Sequence, residues 1–268
     1  MKITLRVCFF AGVLALSSCA TNPFTGKQTM ALVSNDQLFP TSFQQYDEFL
    51  KSNKVVEGTT DAARIKRIGQ RIAKAAETYL NANGYVGYLN GYKWEYHLIE
   101  DDQKNAWCMP GGKIVFYTGI LPVAQSDAGI AAIMGHEVAH ALANHGQQRM
   151  SAAYIQQGIA IAGNVAITDE QSRDMFNQYY GIGSNVGAML PFSRSHESEA
   201  DRIGIVLMAL AGYNPEAAPA LWTRMESSGT PEILSTHPAN ASRISSLTSL
   251  VPSAKAEAKK FGITTFTE

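Results

Sequence analysis

The pentapeptide His136-Glu137-Val138-Ala139-His140 lies in an alanine-rich stretch and constrains this chain more than any other feature. On an α-helix, residues i and i+4 lie on the same face, one turn apart. The imidazoles of His136 and His140 can therefore hold one Zn²⁺ ion, while Glu137 lies beside it as a base. The alternative is a pair of histidines that only pack or face solvent.

A catalytic zinc needs a third protein ligand and an open position for water. The acidic segment 193–201, SRSHESEAD, offers candidates for the third ligand. On a helix that begins near Ser195, Glu197 and Asp201 share a face and Glu199 points nearly opposite. We therefore predict that Glu197 binds the metal and that Asp201 accepts the free ring N–H of a ligand histidine. A solvated acidic helix face is the alternative.

Periodicity predicts an α+β, mainly α-helical fold with a small antiparallel sheet. Helical spacing covers 34–51, 61–80, 195–211 and 215–227, and residues 92–99 alternate as in a half-buried strand. A further helix is expected to start at Ser126 or Asp127 and to carry the pentapeptide to about His145 or beyond. Its alanines, with Ala200 and Gly204 on the acidic helix, allow close approach of the two helices.

Residues 105–112 end in Pro-Gly-Gly and are predicted to form a loop. The β-branched and aromatic residues that follow predict a strand. An extended substrate could add to this strand by main-chain hydrogen bonds. The predicted substrate strand consists of Lys113, Ile114, Val115, Phe116 and Tyr117.

The first eighteen residues predict an export signal, because a basic start is followed by a short apolar run. The string Leu16-Ser17-Ser18-Cys19 resembles the lipobox of bacterial lipoproteins, in which the cysteine is lipidated. We therefore expect a signal peptide over 1–18, a tether over 19–34 that is anchored to the membrane by lipid on Cys19, and a metallopeptidase domain over 35–268. The expected location is the bacterial cell envelope, on the outer membrane facing the periplasm. A plain secretory signal is the alternative.

Three strings carry a family resemblance: HEVAH, SRSHESEAD and, over 236–244, THPANASRI. Together they resemble the zinc metallopeptidase family that includes the bacterial HtpX, BepA and LoiP proteases, the mitochondrial Oma protease and the CAAX prenyl endopeptidases. The short, soluble, LoiP-like lipoproteins are the most similar members. The resemblance implies a zincin-like domain with one Zn²⁺ per chain, held by His136, His140 and Glu197. It also implies that NAWCMPGGKIVFYTG forms the edge strand of the active site.

Two sets of residues keep open interpretations. The resemblance makes His237 a fourth ligand that closes the open position, or a stabiliser of the transition state, whereas a histidine before Pro238 can also be purely structural. Arg194 and Arg243 are candidate ion-pair partners of Glu197, of Asp201 or of a substrate carbonyl. His145 and His196 are expected at the surface.

The predicted function is a zinc metalloendopeptidase in which Glu137 takes a proton from water and returns it to the leaving amine. The expected partners are unfolded or misfolded envelope proteins, as in protein quality control, and the outer-membrane assembly machinery. A net charge of −1 gives no basic surface for nucleic acid. The alternatives are a chaperone or assembly factor for outer-membrane proteins with a latent zinc site, and a metal-binding lipoprotein without catalysis.

Overall fold

The fold is seen in a computed structural model of the 268-residue chain, which describes residues 19–156, 193–227, 237 and 242–268. The predicted signal peptide and the side chain of Cys19 lie outside the described part of the chain, so the signal and the lipidation stay predictions. Within the described ranges, no helix is both long and apolar enough to cross a bilayer.

The described residues are mainly helical. The helices are α1 (Asn35–Ser52), α2 (Thr60–Ala82), α3 (Leu121–Ala124), α4 (Asp127–Leu142), α5 (His145–Gln156), α6 (Arg194–Leu210), α7 (Ala217–Ser227) and α8 (Arg243–Lys260), with a 3₁₀ turn at Thr118–Ile120. Serine side chains fix the start of the two helices that matter most here. The Ser126 hydroxyl accepts a hydrogen bond from the backbone N–H of Gly129 at the start of α4. The Ser193 hydroxyl accepts one from the backbone N–H of His196 at the start of α6.

The sheet has four strands in the order β3-β4-β6-β5. Its strands are β3 (Val55–Val56), β4 (Glu95–Ile99), β5 (Ala106–Met109) and β6 (Lys113–Tyr117), and a separate hairpin joins β1 (Cys19–Thr21) to β2 (Gln28–Met30). Strands β4 and β6 are parallel, whereas the other pairs are antiparallel. The α+β, mainly helical class is confirmed, but the sheet is mixed and not antiparallel throughout.

The prediction that Lys113–Tyr117 is the substrate-binding edge strand is wrong. β6 lies inside the sheet, paired with β4 on one side and β5 on the other, and all five of its residues are buried. The two edges are β3 and β5, and the residues of β5 were predicted from the sequence to be a loop. Gly111 and Gly112 adopt φ of +80° and +87°, which lets the chain reverse tightly after β5 and form a hairpin with β6.

Helices α4 and α6 cross with their backbones almost touching, and they form the most extensive contact between two described elements. Gly135 of α4 faces Gly204 of α6 at the crossing. A Cβ atom added to Gly204 would lie 2.8 Å from backbone atoms of both Gly135 and His136. The close approach expected from small residues is therefore present. It brings the acidic turn of α6 against the histidines of α4.

Candidate metal centre

Four side chains from three parts of the chain converge at this crossing. His136 and His140 come from α4, Glu197 from the first turn of α6, and His237 from the segment between α7 and α8. One ligand atom from each residue lies within 4.8 Å of the others, and all four residues are buried. The i, i+4 spacing on α4 and the cap at Ser193 together determine which side chains meet.

The distances between these atoms match a zinc site. Tetrahedral zinc with bonds of about 2.0–2.1 Å holds its ligand atoms about 3.3–3.4 Å apart. Nε2 of His136 and Nε2 of His140 are 3.1 Å apart, and the two oxygens of Glu197 each lie 3.3 Å from one of these nitrogens. Nδ1 of His237 lies 3.2 Å from Nε2 of His136 and 3.0 Å from Oε1 of Glu197. Nitrogen and carboxylate donors are those that zinc prefers, so the residues fit this ion.

The outer nitrogen of His136 has a carboxylate partner. Its Nδ1 lies 2.9 Å from Oδ1 of Asp201, which is the contact that the sequence predicts for Asp201. Burial lowers the pKa of His136, but its hydrogen bonds to Asp201 and Glu197 outweigh burial and raise the pKa to about 9. Burial raises the pKa of Glu197, yet the surrounding histidines leave it well below the usual value. Glu197 is therefore a carboxylate anion in this group.

Glu137 lies beside this group, and one of its carboxylate oxygens has no hydrogen bond in the described part of the chain. Its side chain is buried, and Oε1 makes no hydrogen bond among the described residues. Nε2 of His237 is 3.4 Å from that oxygen. Burial raises the pKa of Glu137, and the nearby His237 and His136 partly oppose the rise. A buried carboxylate with a raised pKa and a free oxygen can accept a proton from a molecule that enters the site.

Arg243 is the arginine that the structure brings into the site. Nη1 donates to Oε2 of Glu197 at 2.9 Å, and Nη2 donates to Oδ1 of Asp201 at 2.7 Å. The guanidinium carbon lies 3.3 Å from the ring centroid of Trp222, and the whole side chain is buried. Arg194 is instead exposed in the first turn of α6. Of the two candidate ion-pair partners, only Arg243 contacts the acids of the site.

The structure also places His145 and Glu199 against the site, which the sequence analysis did not expect. His145 is fully buried, so its predicted surface position is wrong. Its Nδ1 is 2.9 Å from Nδ1 of His140, and its Nε2 is 2.9 Å from Oε2 of Glu199. Asn144 could have indicated a helix end before His145, because asparagine tolerates a left-handed backbone conformation. In the structure Asn144 has φ of +54°, and α4 ends before His145.

A helix that carries H-E-x-x-H, an acidic residue on a second helix and a small sheet beside them define a zincin-like metallopeptidase domain. Comparison with protein families agrees with this class. The family description "Peptidase family M48" matches residues 59–251. The chain belongs to peptidase family M48, whose members are zinc-dependent, and the predicted enzyme class and family resemblance are confirmed.

The similar proteins include mitochondrial and bacterial peptidases. The mitochondrial metalloendopeptidase OMA1 of Schizosaccharomyces pombe is 34% identical over 175 residues, which cover 63% of this chain and 50% of that protein. OMA1 of Saccharomyces cerevisiae is 33% identical over 202 residues, covering 71% and 56%. The beta-barrel assembly-enhancing protease of Escherichia coli is 30% identical over 180 residues, covering 62% and 37%. The chain thus spans about half the length of the curated OMA1 proteins it matches.

These relatives contradict the predicted localisation. The stronger matches, to the fungal and plant OMA1 proteins at 33–35% identity, are mitochondrial, and the bacterial protease matches less well. The prediction of a lipid-anchored protein of the bacterial outer membrane rested on the export signal, on the residues around Cys19 and on the resemblance to LoiP-like lipoproteins. It is overturned by the comparison of the peptidase domain.

Proposed function

We propose that this chain is a zinc metalloendopeptidase that binds one Zn²⁺ and cleaves unfolded or misfolded polypeptides, as in protein quality control. His136, His140 and Glu197 hold the metal, and Glu137 is the catalytic base. The observation that carries the proposal is the free, buried oxygen of Glu137 beside a group of ligand atoms spaced for zinc. Membership of a peptidase family supports the same reaction.

When bound, zinc lowers the pKa of a water ligand to about 7 and polarises a peptide carbonyl. Glu137 takes a proton from the attacking water through Oε1, the atom that has no other hydrogen bond. The protonated carboxyl then donates that proton to the nitrogen of the leaving amine. Its raised pKa suits both steps, because a base of higher pKa holds the proton until the peptide bond breaks.

Asp201 and Arg243 keep the ligands in place. Asp201 accepts a hydrogen bond from the Nδ1–H group of His136, so that the lone pair of Nε2 faces the metal. Arg243 bridges Glu197 and Asp201, so that the two carboxylates on α6 are held side by side despite their like charge. Nη1 and Nη2 of the guanidinium donate to these acids and its face lies on Trp222, whereas Nε makes no hydrogen bond among the described residues. Arg243 therefore acts on the ligands, and contact with a substrate carbonyl is not part of the proposal.

His237 stands at the fourth corner of the proposed site. Its Nδ1 lies 3.2 Å from Nε2 of His136 and 3.0 Å from Oε1 of Glu197, so His237 would hold the metal together with the other three residues. A metal with four protein ligands leaves no position for water, so we propose that His237 withdraws before cleavage. Its Nε2 lies 3.4 Å from Oε1 of Glu137, so the same ring would also cover the proposed base.

An extended substrate is proposed to pair with β5, one of the two edge strands of the sheet. β5 is hydrogen-bonded to β6 on one side and packs against α4. A small cavity between these elements is lined by Cys108, Pro110 and His140, which places the end of the edge strand next to the metal group. Pairing through main-chain groups selects extended chains of many sequences, which is the form that unfolded proteins offer.

The change of Glu137 to Gln tests the proposal. We expect cleavage of casein to fall by at least 10²-fold while one zinc per chain remains bound, because the amide keeps the shape but cannot take the proton. Glu77→Gln, an exposed change on α2, is the matched control and should leave cleavage unchanged. Full activity in Glu137→Gln would remove Glu137 from the mechanism.

A second candidate is a chaperone or assembly factor whose zinc site stays closed, and the position of His237 favours it. The name of the bacterial relative also refers to assembly of beta-barrels. The change His237→Ala separates the two candidates. We expect it to retain zinc and to increase casein cleavage. A protein that holds zinc but cleaves nothing, with or without this change, would favour the second candidate.

A further inference from the structure

A buried chain of polar side chains leads away from His140 on the side opposite the proposed metal. Nδ1 of His140 is 2.9 Å from Nδ1 of His145, and Nε2 of His145 is 2.9 Å from Oε2 of Glu199. Oε1 of Glu199 in turn accepts hydrogen bonds from Nδ2 of Asn22 at 3.1 Å and Oγ1 of Thr25 at 2.8 Å. The chain thus connects α4, α5, α6 and the segment after β1.

We propose that His145 and Glu199 are positioning residues for zinc, which fix the ring of His140 through this chain. The inference rests on the proposed zinc site. Asp201 does the same for His136 directly, so each ligand histidine of α4 would have its own anionic support on α6. Glu199 lies on the other face of α6 from Glu197. It therefore contacts His140 only through the ring of His145.

Only one arrangement of protons satisfies this chain when His140 is a ligand. Nε2 of His140 faces the other ligand atoms, so it must carry its lone pair there and its proton on Nδ1. Nδ1 of His145 must then accept a hydrogen bond from this N–H group, so the ring proton of His145 is on Nε2. That N–H donates to Glu199, an acceptor whose other oxygen is already held by Asn22 and Thr25. The direction of every bond follows from the carboxylate at the end.

The backbone shows why His145 can take this position. On an unbroken helix, a residue five places after His140 would lie about 140° around the axis and could not face it. Asn144 has φ of +54°, which ends α4 and starts α5 at His145 in a new direction. The side-chain amide of Asn144 donates to the hydroxyl of Tyr88, which in turn donates to the carbonyl of Leu142. Tyr88 therefore stabilises the turn between α4 and α5.

Zinc affinity of the whole chain, measured by competition with a fluorescent chelator, tests the proposal. His145→Leu removes the acceptor for His140 and should weaken zinc binding by about 10–100-fold. Glu199→Gln keeps the shape and removes the charge, and we expect about tenfold. His145→Asn retains an amide oxygen near the place of Nδ1, so it should recover most of the affinity that His145→Leu loses.

His196→Gln is the matched control, because the ring of His196 stacks on His145 at 4.4 Å between centroids without joining the chain to His140. It should leave zinc affinity within about twofold. Cobalt(II) at saturation gives a second measurement: its visible spectrum should change in His145→Leu and not in His196→Gln, since a loss of stability alone does not alter ligand geometry.

Three results overturn the proposal: unchanged zinc affinity in His145→Leu, an equal loss in His196→Gln, or, if His145→Leu does not fold, unchanged affinity in Glu199→Gln. Failure of the proposed zinc site looks different. In that case the unaltered protein itself binds no zinc, whereas failure of this inference alone leaves a tight zinc site that is indifferent to His145 and Glu199. Absence of casein cleavage with zinc still bound would refute the proposed peptidase function and not this inference.

Discussion

The crossing of α4 and α6 gives the most quantitative prediction, because Gly204→Ala perturbs it with a single carbon atom. That Cβ would lie 2.8 Å from the backbone of Gly135 and His136, where ordinary contacts begin at 3.4 Å. The neighbouring atoms are backbone atoms, so they cannot rotate away as a flexible side chain could. The two helices must therefore separate by about 0.6 Å, the difference between the two distances.

Two opposing effects set the change in stability. Overpacking a close contact costs about 1–3 kcal/mol, and replacing glycine by alanine inside a helix returns about 1 kcal/mol. We expect a net loss of about 1 kcal/mol in the free energy of unfolding. Zinc affinity should be more sensitive than stability, because metal–ligand distances tolerate deviations of only about 0.2 Å. Glu197 would move away from the histidines of α4 by about three times that distance. We expect zinc affinity to fall at least tenfold.

The assay is urea unfolding of the zinc-free protein together with a zinc titration by chelator competition. Ser198→Ala is the control, because Ser198 is exposed on the same helix and gains helix propensity without meeting α4. It should keep full zinc affinity. If Gly204→Ala proves about 1 kcal/mol more stable than the unaltered protein and binds zinc equally well, the close backbone contact does not position the ligands and the reasoning is refuted.

Three further predictions concern single residues. Glu197→Ala should abolish zinc binding in elemental analysis, and normal zinc content would exclude Glu197 as a ligand. Arg243→Lys should lower the free energy of unfolding by about 2 kcal/mol, because lysine cannot bridge Glu197 and Asp201 or stack on Trp222 in the same way; an unchanged urea midpoint would contradict this. Burial, aided by the neighbouring His145, lowers the pKa of His196 to about 4. Protonation of His196 therefore disfavours the folded state, and the free energy of unfolding falls as the pH drops from about 6.5 toward 4. His196→Gln should lose about 1 kcal/mol less than the unaltered protein between pH 7 and pH 5, after allowance for the partly exposed ring, and equal losses would show that His196 does not carry the effect.

Much of the metal group follows from helical periodicity. The i, i+4 rule puts His136 and His140 on one face, and the same rule separates Glu197 and Asp201 from Glu199. The structure places all of these residues on the predicted faces. The small residues of both helices also indicated a close crossing, and Gly135 meets Gly204 there. Each inference depends only on residues within one helix.

Strand order was predicted poorly because it depends on residues far apart in sequence. The run 106–109 is apolar and precedes Pro-Gly-Gly, a signal for a hairpin strand that the sequence analysis read as a loop. Missing β5 made β6 look like the edge. Strand β4 pairs in parallel with β6, although β5 lies between them in the sequence, and no local pattern reports a pairing that passes over a strand.

The sequence by itself determined the chemistry: which atoms can bind a metal, which carboxylate can act as base, and which helix faces carry them. Helical geometry fixes these relations locally, so they survive any arrangement of the rest. The tertiary structure alone decided that His237 comes within 3.2 Å of His136, that Arg243 and not Arg194 joins the acids, and that a turn at Asn144 brings His145 between His140 and Glu199. Those contacts join residues up to 101 positions apart, and only packing of the whole chain can specify them.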